Sequence, residues 1–247
     1  MANFVWRSFI AVFGICAIAW AIDVILVYRT DVPFAGNAQL VLSGDKFNAV
    51  QLSAMKRQLD ASGKPLQASA LTGAAIIRLL LLEAALSAGN GQPSASDLDD
   101  LRMIVDSALA QSPTSSFMWL TDLWLKRLSG EFVDSDWNLL RMSYWSGPNE
   151  AWIAVKRNRL ALSSFPKLPG ELAEEAVSEF VGLVRSGLYE DASSILAGPG
   201  WAIHEQLLSR LTRVDEVNRH EFARALASKD IDGVVVPGED QRASRPF

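Results

Sequence analysis

Two histidines, one cysteine and 28 carboxylates are the side chains with which this chain could do acid–base, nucleophilic or metal chemistry. Each histidine precedes an acid, in His204-Glu205 and His220-Glu221, which is how a zinc-protease helix begins. That chemistry needs a second histidine one turn later, facing the same metal. Leu208 and Arg224 stand there instead, so both histidines read as surface or helix-capping residues. The lone Cys16 excludes an intrachain disulfide and the multi-cysteine zinc and iron–sulfur sites. Asp99-Asp100 and Glu174-Glu175 are adjacent pairs that would point about 100° apart on a helix, as solvated faces do. A glycosidase needs two carboxylates flanking one bond, and no spacing selects such a pair here. There is no G-x-S-x-G, no Walker loop, and Gly89-Asn90-Gly91 lacks the third glycine of a dinucleotide fingerprint. These patterns supply no catalytic residue, cofactor site or metal ligand, and the chain is expected not to be an enzyme.

What does cluster is aromatic and basic. Of eight tryptophans, Trp119, Trp124, Trp137, Trp145 and Trp152 fall close together. They read either as helix-hairpin core or as a groove able to stack on sugar rings or grip a peptide. Arg141, Lys156, Arg157 and Arg159 form a basic group beside them on an otherwise acidic chain, read either as a solvated face or as an anion or partner-docking site. The candidate partner-binding residues are therefore Trp119, Trp124, Trp145, Trp152, Arg141, Lys156, Arg157 and Arg159. A net charge of −5 argues against a nucleic-acid binder that works by neutralising phosphates.

The elements that must position these residues begin with an apolar run. With 49% hydrophobic and 21% charged residues over 247 positions, mean hydropathy is +0.14, and the surplus lies at the N-terminus. Residues 8–28, SFIAVFGICAIAWAIDVILVY, would span roughly 30 Å as a helix, the thickness of a bilayer core. The run is longer than a signal-peptide core and ends in Arg29-Thr30-Asp31, not a small-residue cleavage site. Trp6, Tyr28, Arg7 and Arg29 bracket it as interfacial residues do. The expectation is an uncleaved single-pass anchor with residues 1–7 cytoplasmic and the rest on the far side, in a bacterium the periplasm. Asp23 near the outer end and Gly14, Ala17 and Ala21 on one face are the candidate contacts to a second membrane helix, through which a homo-oligomer would associate.

Residues 29–47 read as a juxtamembrane linker and 231–247 as an extended, then disordered, tail. Between them, 48–230 is helical in pattern. Leu98, Leu101, Val105 and Ala108 form one stripe, and Phe117, Leu120, Trp124 and Leu128 another. Breakers at Gly63–Pro65, Gly89–Pro93, Pro113, Gly130, Gly147–Pro148, Pro166–Gly170, Gly187 and Gly198–Gly200 divide it into about eight to ten antiparallel helices. Arg78 interrupts the apolar stretch of residues 70–88, which marks it as a buried helix and not a second span. The fold class is all-α.

Spacing inside that region is periodic. Ala108, Pro113, Trp119 and Gly130 stand at the offsets of a tetratricopeptide repeat, and Pro148 and Trp152 recur near the expected period. Residues 96–162 thus resemble tandem tetratricopeptide-like hairpins, although Asp122, Lys126 and Ser135 depart from the pattern. With the anchor and the segments SPTSSFMWLTDLWLKRLSG and MSYWSGPNEAWIAVKRNRLAL, the chain resembles the single-pass tetratricopeptide-like proteins of bacterial exopolysaccharide polymerisation and export. The resemblance implies a membrane-anchored adaptor that holds a protein partner of that machinery. An assembly chaperone of the cytochrome-maturation type and a polysaccharide-active enzyme are the alternatives. A dry tryptophan core favours the adaptor; a cleft with paired acids of raised pKa favours the enzyme.

Overall fold

Ser94 and Asp215 each cap a helix start by accepting from a backbone N–H, and a glycine stands at or just past the helix ends near positions 130, 147, 187 and 198. In a computed structural model, residues 12–22, 24–25, 49–61, 68–87, 94–229, 231 and 234–238 are described, and among them every regular element is helical. The chain divides into two compact units, Met1–Pro113 and Thr114–Phe247.

In the first unit, residues 12–22 and 24–25 form helix α1, followed by α2 (Ala49–Ala61), α3 (Ala68–Ser87) and α4 (Ala95–Gln111). The α1 side chains are exposed almost throughout, Phe13 and Trp20 each at 70%, and a Cβ added at Gly14 would meet nothing. Among the described residues no helix is long and apolar enough to cross a membrane; positions 8–11, Asp23 and 26–28 of the expected anchor lie outside them, as do the expected linker and residues 239–247. Helix α3 packs against both α2 and α4, burying Ala70, Ala74 and Ile77 against Met55 and Leu59. Arg78 does not leave this packing. Its guanidinium, 11% exposed, reaches Asp100 at 2.9 Å, with Asp97 and Asp60 each at 3.5 Å. Helix α4 is capped at Ser94, whose Oγ accepts from the Asp97 amide.

In the second unit the order is α5 (Ser116–Leu128), α6 (Trp137–Ser146), α7 (Ala151–Leu162), α8 (Gly170–Arg185), α9 (Tyr189–Ala197), α10 (His204–Arg210) and α11 (Glu216–Ala227), with four short 3-10 turns between them. The main partners are α5 with α6, α7 with α8 and α9 with α11, and α8 also touches α9, α10 and α11. Helix α8 is central because its apolar positions form a wide stripe: Leu172, Ala176, Val177, Phe180, Val181, Leu183 and Val184 are all buried. Phe180 meets Phe222 of α11 edge-on at 6.0 Å. Val236, in the segment expected to be extended, is buried.

Helices α5 and α7 begin 35 residues apart, at Ser116 and Ala151, each three residues after a proline. The helices that follow run from 16 residues in α8 to 7 in α10, and the described helices give no evidence of tetratricopeptide-like repeats.

Two helix ends explain themselves. Gly130 and Gly187 have φ of 75° and 78°, a left-handed conformation open to glycine without a Cβ penalty. Behind them Glu131 N–H donates to Lys126 C=O and Leu188 N–H to Leu183 C=O, each at 3.0 Å, which closes orphan carbonyls of α5 and α8. Gly187→Ala is therefore expected to cost about 1 kcal/mol in urea unfolding of the full chain in detergent. Gly182→Ala, inside α8 with open space around the new methyl, is expected to gain about 0.5–1 kcal/mol in the same measurement.

Candidate functional site

Helix α7 carries AWIAVKRNRLAL, and its inner face is read off directly: Ile153, Ala154, Arg157, Asn158, Ala161 and Leu162 are buried. Arg157 thus points inward, at 0% exposure, while Lys156 and Arg159 on the same helix are exposed. The surface basic group expected of Arg141, Lys156, Arg157 and Arg159 consequently lacks Arg157, because its position falls on the apolar stripe of α7.

A guanidinium without water must find acceptors for its five N–H groups. Arg157 Nε and Nη2 donate to Glu179 Oε1 of α8 at 2.8 and 2.6 Å. Nη1 donates to Ser143 C=O at 2.7 Å and Nη2 to Gly147 C=O at 3.2 Å, two carbonyls at the C-terminal end of α6. Nη1 also reaches Ser116 Oγ at 3.2 Å, at the start of α5. The cation lies 4.3 Å from the centre of the Tyr144 ring. A positive charge at the α6 C-terminus meets the negative end of its dipole, so one side chain joins four helices.

Glu179 is the counter-charge, with its side chain 7% exposed. Besides Arg157, it accepts from Tyr144 Oη at 3.2 Å and Asn158 Nδ2 at 3.5 Å. Burial pushes its carboxyl up to about 7, against the pull of Arg157 and these hydrogen bonds. Burial also pushes the Tyr144 phenol well up, which keeps it a neutral donor. A raised carboxyl is what an acid catalyst needs, but the oxygens of this one are engaged by three neighbours, and Glu171 and Glu175 lie on the exposed side of the same helix.

Glu179 also lines a groove of about 630 Å³ between α6, the start of α7 and α8. The walls include Arg141, Tyr144 and Trp145 from α6, Pro148 and Ala154, and Glu171, Glu175 and Leu183 from α8. Trp145 is 73% exposed, and Arg141 is ion-paired with Glu171.

Of the tryptophans singled out by sequence, the groove contains Trp145 alone. Trp119, Trp124 and Trp152 are half-buried, and Trp152 packs on Phe117 of α5 at 4.9 Å. Trp137 is buried against Phe132. Arg141 and Trp145 are brought together; Lys156 and Arg159 do not line the groove. His204 begins α10, its Nδ1 2.7 Å from the Trp201 carbonyl and its ring stacked on Trp201. Sequence reasoning missed Glu171 and Glu179 and read Glu175 as part of a solvated face, although their i, i+4, i+8 spacing places all three on one edge of α8, beside the apolar stripe.

Removing Arg157 would strand Glu179 in the core, so Arg157→Met is expected to cost about 3–5 kcal/mol in urea unfolding. Arg157→Met with Glu179→Leu is expected to recover part of that loss. The folded chain holds the Glu179 proton more tightly than the unfolded chain. Its contribution is therefore full below about 4.5, where both states are protonated, and is lost as pH rises through about 7. Unfolding titrations at pH 5 and 8 are expected to show the chain more stable at pH 5 through this group, and Glu179→Gln is expected to flatten that difference.

Compared with known proteins, the chain matches no family model, no curated protein and no solved structure.

Proposed function

We propose that this chain is a membrane-anchored helical adaptor that holds a protein partner in bacterial envelope polysaccharide biosynthesis or export. The anchor is residues 8–28, with the N-terminus cytoplasmic and the helical region periplasmic. Support for the anchor is the apolar character of the run and the exposure of the described part of α1 along nearly its whole length. In water an apolar helix exposed on all sides loses the burial that favours folding, about 25 cal/mol per Å² of surface left wet. Lipid removes that penalty. The tetratricopeptide-like resemblance supports the polysaccharide context.

The observation that carries the adaptor reading is the groove along α8. It offers an exposed indole and an apolar floor for binding, while its buried carboxyl is committed to Arg157 and so to holding the helices together. Glu171 and Glu179 are ion-paired with Arg141 and Arg157, and Glu175 leaves the groove an acidic edge that disfavours an acidic glycan and favours a protein as the occupant.

Placing a photo-cross-linking amino acid at position 145 in cells is expected to give a discrete adduct with a component of the polysaccharide machinery, and none from position 205 on α10. No adduct at 145, together with unchanged extracellular polysaccharide in a Trp145→Ala strain, would overturn the reading. For the anchor, the full chain is expected to stay with membranes after carbonate washing. A chain lacking residues 1–28 is expected to be released, and protease added to spheroplasts is expected to digest the helical region.

A further inference from the structure

The groove does not end at α8. Leu188, just past the Gly187 turn, lines it and also lines a second depression of about 420 Å³ between α9 and α11. That depression is edged by Glu190, Asp191, Glu221 and Arg224. Leu188 borders both, so an extended segment laid across it would reach the two depressions.

Charge along this path is unevenly matched. In the first groove Glu171 is paired with Arg141 and Glu179 with Arg157. In the second, Glu190 is paired with Lys229 at 3.1 Å and Glu221 with Arg224 at 3.0 Å. Among the described residues Glu175 and Asp191 have no ion-pair partner, so each depression keeps one carboxylate unmatched. Leu172, Leu183 and Leu188 supply an apolar floor, and the Trp145 indole offers a face on which a cation can lie.

Resting on the adaptor reading, we infer that the path takes an extended segment of the partner protein bearing two basic residues, one for Glu175 beside Trp145 and one for Asp191, with an apolar residue between them over Leu188. An arginine suits the first position, since its planar group can stack on an indole while its N–H groups bond a carboxylate. Specificity would come from charge placement: an acidic segment meets two unmatched carboxylates, and a purely apolar one leaves both unanswered.

The test uses the full chain in non-ionic detergent and fluorescein-labelled dodecapeptides of alanine and leucine, with two arginines four, six or eight positions apart. Matching peptides carry glutamate in place of arginine. Fluorescence anisotropy is expected to show binding of at least one arginine peptide and none of the glutamate peptides. Glu175→Lys and the pair Glu175→Gln with Asp191→Asn are each expected to weaken it at least tenfold, and Trp145→Ala several-fold. Glu205→Lys, exposed on α10 away from the path, controls for net charge and is expected to leave binding unchanged. Absence of arginine-peptide binding, or equal loss in Glu205→Lys and Glu175→Lys, would overturn the inference. A cross-linked partner at position 145 that is held through a non-basic segment would also overturn it while leaving the adaptor reading intact; no partner at all would remove both.

Discussion

A guanidinium sealed from water at Arg157 is the constraint around which the second unit is arranged. Taking an ion out of water costs several kcal/mol unless every donor is answered. The answers come from Glu179, from the carbonyls of Ser143 and Gly147, and from Ser116, which lie on or at the ends of α5, α6 and α8. Each acceptor is a fixed point on its helix, so registers that packing alone would leave adjustable are set. Gly147 shows how little slack remains: a Cβ there would stand 2.5 Å from Ser116 Cβ. The α6–α7 turn is glycine because the start of α5 occupies the space a side chain would need.

Arg78 in the first unit uses the same residue differently. It sits between Asp60, Asp97 and Asp100, which are considerably more exposed than it is. Water can solvate those carboxylates, so the cost of charging this contact is low and its gain is modest. The Arg157 pair is nearly dry on both sides. Such a pair adds geometry more than net stability, since a well-packed apolar replacement can be equally stable.

The helical class was legible because apolar positions recur at helical spacing and the breakers stand between them; Gly130, Gly147 and Gly187 all end helices where expected. The role of Arg157 was legible in principle, from its place four residues after Ile153 and four before Ala161 on one face. It was misread because residue type was weighed above position: basic neighbours at 156 and 159 suggested a surface cluster. Tryptophan density left core and groove open, and packing takes up Trp137 and much of Trp152 while, of the five clustered tryptophans, Trp145 stands clear. The glutamates on α8 carry no motif, and nothing in one sequence tells which of several exposed acids faces a concavity. That depends on how α6 lies against α8, which long-range packing decides.

The partners of Arg157 lie 10, 14, 22 and 41 residues away along the chain. In a solenoid each hairpin contacts only its neighbours, and stability accumulates repeat by repeat. Here one side chain cannot be satisfied until α5, α6, α7 and α8 are all in place. That stretch should form or open as a single cooperative block, with no stable halfway hairpin. A chain built this way would present its groove either whole or not at all.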